Sequence, residues 1–167
     1  MSAVDKLLKI ASAEIGYAEK ASKAGLDEKT FNAGDANYTK YARDMDQLSG
    51  FYNSRKQGYP WCDLFVDWCF VQAFGETMAR KLLCQPKRSM GTGCTSSSNY
   101  YKDKGQFFLD PEPGDQIFFY ATDADGFGHT GIVEKVSGGK VTTIEGNTSD
   151  GKAVVANGGS VCRKTYA

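Results

Sequence analysis

The chain is poor in several things that would point to particular functions. It has one histidine and four prolines, and its twenty Lys and Arg cancel its twenty Asp and Glu. A single histidine leaves no His-x-x-x-His pair, and the five cysteines contain no Cys-x-x-Cys spacing, which argues against a structural zinc site. Five is also an odd number, so at least one thiol stands outside any internal disulfide. The balanced charge gives no net pull toward nucleic acid or an anionic membrane; the small clusters Lys20–Lys23 and Lys87-Arg88 read as solvated surface. The apolar stretches around Leu64–Phe70 and Ile117–Ala121 are too short to span a bilayer, so membrane insertion is not expected. No basic segment leads into an apolar run after Met1, so no signal peptide is expected, and reduced thiols are the expected state where the chain is made.

What is present describes one globular domain over residues 1–167, with 41% hydrophobic and 24% charged residues. Val4, Leu7, Leu8, Ala11 and Ile15 repeat at helical spacing behind Ser2 as N-cap. The polar stretch from Lys20 to Gly58 holds a short helix around Thr39–Leu48, with Tyr38, Tyr41, Phe51, Tyr52 and Tyr59 read as packing rather than as a groove wall. Pro60 suits the first turn of a largely buried helix that runs from Trp61 to Gly75, and a second helix covers Glu76–Leu83. Gln85–Ser98 reads as a loop, and Ser98–Lys104 as a short helix. Four β-rich runs follow, at Asp115–Ala121, His129–Val136, Lys140–Glu145 and Ser160–Tyr166, with Ser137-Gly138-Gly139 as a hairpin turn. Helices first and antiparallel strands second give an α+β domain in two layers.

Three groups carry chemistry. Cys62 stands at the start of the buried helix, where unpaired N–H groups and the helix dipole favour a thiolate. Cys69, two turns on, reads as core, and Cys84, Cys94 and Cys162 have no evident helix-start setting. His129, flanked by Gly128 and Gly131, is the sole candidate for a base and is expected to face a cleft. Glu145 and Asn147 are two apart on a strand and so are expected on one face, where either can orient the imidazole, Glu145 ahead of Asn147. Together these are the parts of a cysteine nucleophile that attacks acyl carbons.

The run Pro60-Trp61-Cys62-Asp63-Leu64-Phe65-Val66-Asp67-Trp68 resembles the nucleophile helix of the CHAP domain (cysteine, histidine-dependent amidohydrolase/peptidase). Pro113-Gly114-Asp115-Gln116-Ile117-Phe118-Phe119, Gly128-His129-Thr130-Gly131-Ile132-Val133 and Thr142-Thr143-Ile144-Glu145-Gly146-Asn147-Thr148 resemble three further family motifs, in family order. The resemblance implies a papain-like cysteine peptidase fold and an NlpC/P60-like peptidoglycan hydrolase of the phage-endolysin type, an amidase or endopeptidase. It implies Cys62 as nucleophile, His129 as general base and then acid, Glu145 as the group orienting the imidazole, and Asn147 as a supporting polar residue. The Cys62 N–H would be one oxyanion donor, with Gln57 and Tyr59 as candidates for the second. Tyr59, Trp61 and Gln57 are the expected substrate-binding residues.

Some members of the family bind calcium just before the nucleophile. Here Tyr52–Tyr59 contains no carboxylate and two cations, and Asp35, Asn37, Asp44 and Asp46 lack EF-hand spacing, so neither metal nor other cofactor is expected. The expected partner is bacterial peptidoglycan, with further wall-binding domains or subunits outside this chain as an open possibility. The expected route is synthesis in the cytoplasm and action on the wall after release, as for a phage or prophage lysin; an effector acting on competing bacteria would share the chemistry. Two alternatives use the same residues differently: a wall-binding or interaction module with an inactive papain-like fold, and a cysteine acyl enzyme acting on another amide.

Overall fold

The first helix begins where the sequence offers a reciprocal cap. Ser2 Oγ accepts the Asp5 N–H and the Asp5 carboxylate accepts the Ser2 N–H, each at 3.0 Å, which satisfies two otherwise unpaired donors of α1 (Ala3–Ala13). The computed structural model describes residues 1–121 and 126–167. Thr39 caps α2 (Lys40–Asp46) through its hydroxyl. Next come α3 (Cys62–Phe74), α4 (Glu76–Leu82) and α5 (Cys94–Asp103). Gly75, at φ 78°, makes the break between α3 and α4.

Two helix starts differ from the sequence reading. Pro60 lies before α3 rather than in its first turn, and the N-cap is Trp61, which makes no side-chain cap. The helix expected from Ser98 begins four residues earlier, at Cys94, behind Gly93 at φ 156°. Cys94 therefore has the helix-start setting that the sequence reading denied it.

The strands β1 (Gln116–Tyr120), β2 (Phe127–Ser137), β3 (Lys140–Thr148) and β4 (Ser160–Tyr166) form one antiparallel sheet in the order β1-β2-β3-β4. Gly138 and Gly139, both at positive φ, make the two-residue turn from β2 to β3. The expected α+β layering is thus present among the described residues.

The buried helix α3 lies between the sheet and the other helices, touching β2 and β3 on one side and α1, α2 and α4 on the other. Its Leu64, Phe65, Val66 and Cys69 are fully or almost fully buried with Ile132, Ile144, Tyr41 and Trp61. This close approach needs Gly146 in β3: a Cβ there would lie 2.6 Å from Phe65 Cβ and 2.9 Å from the Trp61 ring. Gly146→Ala is accordingly expected to cost about 2–3 kcal/mol by overpacking, read as a lower midpoint in urea unfolding.

Candidate active site

Three elements deliver the chemical groups. Cys62 is the first residue of α3, and the N–H groups of that first turn have no intrahelical acceptor. His129 lies on β2 and Glu145 on β3. Ile132 pairs with Ile144, so Glu145 falls opposite Gly131, and His129, two residues along, shares its face. Gly131 also makes room for the acid, since a Cβ at that position would lie 2.6 Å from Glu145 Cγ.

The result is a buried ion pair. His129 Nε2 is 2.8 Å from Glu145 Oε2, and both side chains are essentially inaccessible. The other carboxylate oxygen accepts hydrogen bonds from Thr143 Oγ1 at 2.5 Å and from the Tyr166 hydroxyl at 2.9 Å. Burial pushes the Glu145 pKa up, but the hydrogen bonds from His129, Thr143 and Tyr166 outweigh it and hold the group below its ordinary range. An ionised Glu145 fixes the proton on Nε2 and leaves Nδ1 for another partner. That nitrogen is buried without a well-formed hydrogen bond.

Cys62 is the neighbour that acts on it. The thiol is close enough for each group to move the other's pKa, although no aligned hydrogen bond joins them in this state. A hydrogen bond from Cys94 is the largest influence on Cys62; burial opposes it, the His129 interaction adds to it, and the thiol is lowered to about 6. Burial pulls His129 down, but Cys62 and Glu145 reverse this and raise it to about 9. Both shifts favour the thiolate and imidazolium forms of the pair. Phe119 stacks on the imidazole at 5.8 Å between centroids and in turn contacts Tyr166 at 5.0 Å. The imidazole is therefore almost wholly enclosed, 1% exposed, where the sequence reading expected it to face a cleft.

The remaining expected residues lie differently. Trp61 is core: it is fully buried, packs on Tyr17 and Tyr41, and donates its indole N–H to Glu19 at 2.8 Å, so it is not a substrate-binding surface. Gln57 is committed to the backbone of Thr39, accepting its N–H at 2.9 Å and donating to its carbonyl at 3.0 Å, which removes it as an oxyanion donor. Tyr59 is 61% exposed, just ahead of α3. Asn147 does not reach the imidazole; its Oδ1 accepts the Gly159 N–H at 3.2 Å. The two-residue alternation fails between Glu145 and Asn147 because the pairing with β4 slips there and Asn147 takes φ 54°.

Asp63 was missed by sequence reasoning. Its buried carboxylate accepts from the Gly93 N–H at 2.8 Å, Ser97 Oγ at 2.7 Å and Gln116 Nε2 at 2.9 Å. One acid thus ties the start of α3 to the start of α5 and to β1. The available signal was an acidic residue directly after the cysteine in a largely apolar helix, whose other polar residues are Asp67 and Gln72. Among the described residues, no group of three or more His, Cys, Asp or Glu is arranged to hold a metal ion.

The profile of the CHAP domain matches residues 54–147, more than half of the chain and a span that includes Cys62, His129 and Glu145. The chain belongs to the CHAP domain family. Membership implies a cysteine- and histidine-dependent amidohydrolase or peptidase directed at peptidoglycan. Neither curated proteins nor solved structures give a significant match to the chain. No helix among the described residues is long and apolar enough to cross a membrane.

Proposed function

We propose that this CHAP domain hydrolyses an amide bond of bacterial wall peptides through a thioester on Cys62, on a papain-like arrangement of nucleophile helix and sheet. The observation that carries the reading is the buried His129–Glu145 pair, at 2.8 Å, beside a helix-start cysteine whose pKa is lowered to about 6. The Cys62 thiolate attacks the amide carbonyl carbon. The oxyanion that forms is stabilised by the free N–H groups at the start of α3, an interaction worth about 3 kcal/mol per donor in such sites. His129 gives its proton to the leaving nitrogen as the C–N bond breaks. It then takes a proton from water, which attacks the thioester and returns the thiolate. Glu145 keeps the imidazole in one tautomer and stabilises its cationic form.

Mass analysis of fragments from digested peptidoglycan tests this reading. Free stem peptides together with unsubstituted glycan identify an amidase, whereas shortened peptides still bound to glycan identify an endopeptidase. Intact wall beside a cleaved isopeptide substrate would favour a cysteine acyl enzyme of another specificity and overturn the wall reading.

The charged pair also sets a pH dependence. Below about 6 the thiolate gains a proton and the nucleophile is lost, and above about 9 the imidazolium loses the proton owed to the leaving amine. The pH profile of kcat/KM is expected to be a plateau between those limbs. A single rise toward the ordinary thiol range would show that no such pair exists.

A further inference from the structure

A second cysteine sits beside the proposed nucleophile, and the hydrolytic reaction has no use for it. Cys94 Sγ lies 3.7 Å from Cys62 Sγ, and both residues are 7% exposed. Each is the first residue of a helix, Cys62 of α3 and Cys94 of α5. Their proximity is built in, because Asp63, adjacent to Cys62, binds the Gly93 N–H and Ser97 Oγ of the α5 start. A disulfide needs about 2.0 Å between sulfurs, so side-chain rotation has to close the remaining gap.

We propose that Cys62 and Cys94 form a reversible disulfide, with Cys62 as the thiol oxidised by hydroperoxides and Cys94 as the thiol that resolves it. The Cys62 thiolate attacks one peroxide oxygen; the O–O bond breaks, and the other oxygen leaves as water or alcohol with a proton from His129. Cys62 is then a sulfenic acid. The Cys94 sulfur attacks the Cys62 sulfur, the S–O bond breaks, and hydroxide departs with the Cys94 proton as water. The peroxide takes two electrons and the two thiols supply them. A dithiol reverses the link by exchange.

The environments divide these roles. Cys62 is the more acidic thiol, whereas its hydrogen bond to Cys62 comes first and burial second in holding Cys94 protonated, its pKa raised. The shifts run in opposite directions and favour Cys62, the thiol beside the imidazole, as the thiolate of the two. Linking them removes the nucleophile, so the domain is silent under oxidising conditions and recoverable under reducing ones. This regulatory consequence rests on Cys62 being the nucleophile; the bond itself does not.

The test treats the reduced full chain with a threefold molar excess of hydrogen peroxide, enough to carry an unresolved sulfenic acid on to sulfinic acid, then blocks remaining thiols with iodoacetamide and maps unreduced tryptic peptides. Lys56 and Arg80 bound a peptide that carries Cys69 as well as Cys62, so fragment ions must assign the link to position 62. A Cys62–Cys94 link is expected as the main oxidised product, with wall hydrolysis lost in proportion to it and restored by dithiothreitol. In Cys94→Ser the link is absent, Cys62 proceeds to sulfinic acid and dithiothreitol restores nothing. Sulfinic acid at Cys62 in the wild type without a link, or equal recovery in Cys94→Ser, would overturn the proposal. If the reduced protein hydrolyses no wall at all, the function proposed above fails while the peptide map still decides the disulfide.

Discussion

Replacing Cys62 by Ala is expected to lower wall hydrolysis by on the order of 10⁴-fold or more, since removing the nucleophile of a unit that acts together removes nearly all that the unit supplies. Stability should change little, by about 1 kcal/mol or less. The side chain is small, and its sulfur hydrogen-bonds with that of Cys94 at 3.7 Å. The α3 N-terminus is held by Asp63 and by packing of Leu64 and Phe65, none of which the change touches. Turbidity loss of purified walls measured beside a urea unfolding curve separates the two effects. Hydrolysis at the wild-type rate would remove Cys62 from the mechanism.

His129→Ala is expected to be as damaging to turnover, again on the order of 10⁴-fold, and unlike the cysteine change it should also destabilise the fold. Glu145 is fully buried, and among the described residues the imidazolium is its only charged partner at hydrogen-bond distance. Removing one member of a buried pair leaves the other uncompensated, which costs about 3–5 kcal/mol, reduced here by the hydrogen bonds that Thr143 and Tyr166 continue to donate. Loss of the adjacent cation should also move the Cys62 thiol up from about 6. The rate of iodoacetamide alkylation against pH reads that shift. An alkylation profile identical to the wild type would show that the imidazole does not act on the sulfur.

Much of this site is written locally. A cysteine after Pro60-Trp61, a histidine among glycines and an acid at a strand end are all visible in the chain, and the structure places Cys62, His129 and Glu145 together. What could not be read was set by partners distant in sequence. The start of α5 has Gly93 at the cap, with no side chain to cap the helix, and it is anchored by Asp63, thirty residues earlier, which accepts the Gly93 N–H. Trp61 reads as a substrate-binding residue from its place beside the cysteine; its burial depends on Tyr41, twenty residues upstream, and on Tyr17 and Glu19, more than forty upstream. Asn147 followed a strand periodicity that a slip in the pairing with β4 interrupts. Tyr166 reaches Glu145 from the last strand, a contact that only the sheet order creates.

The bond between the Trp61 indole and Glu19 has a practical corollary for where the working unit starts. The family match opens at residue 54, yet the floor beneath the nucleophile is laid by Tyr17, Glu19 and Tyr41. A protein trimmed to the matched span would bare the indole to water and leave the pivot of α3 unsupported. Residues 17–41 thus belong to the same folded unit as α3.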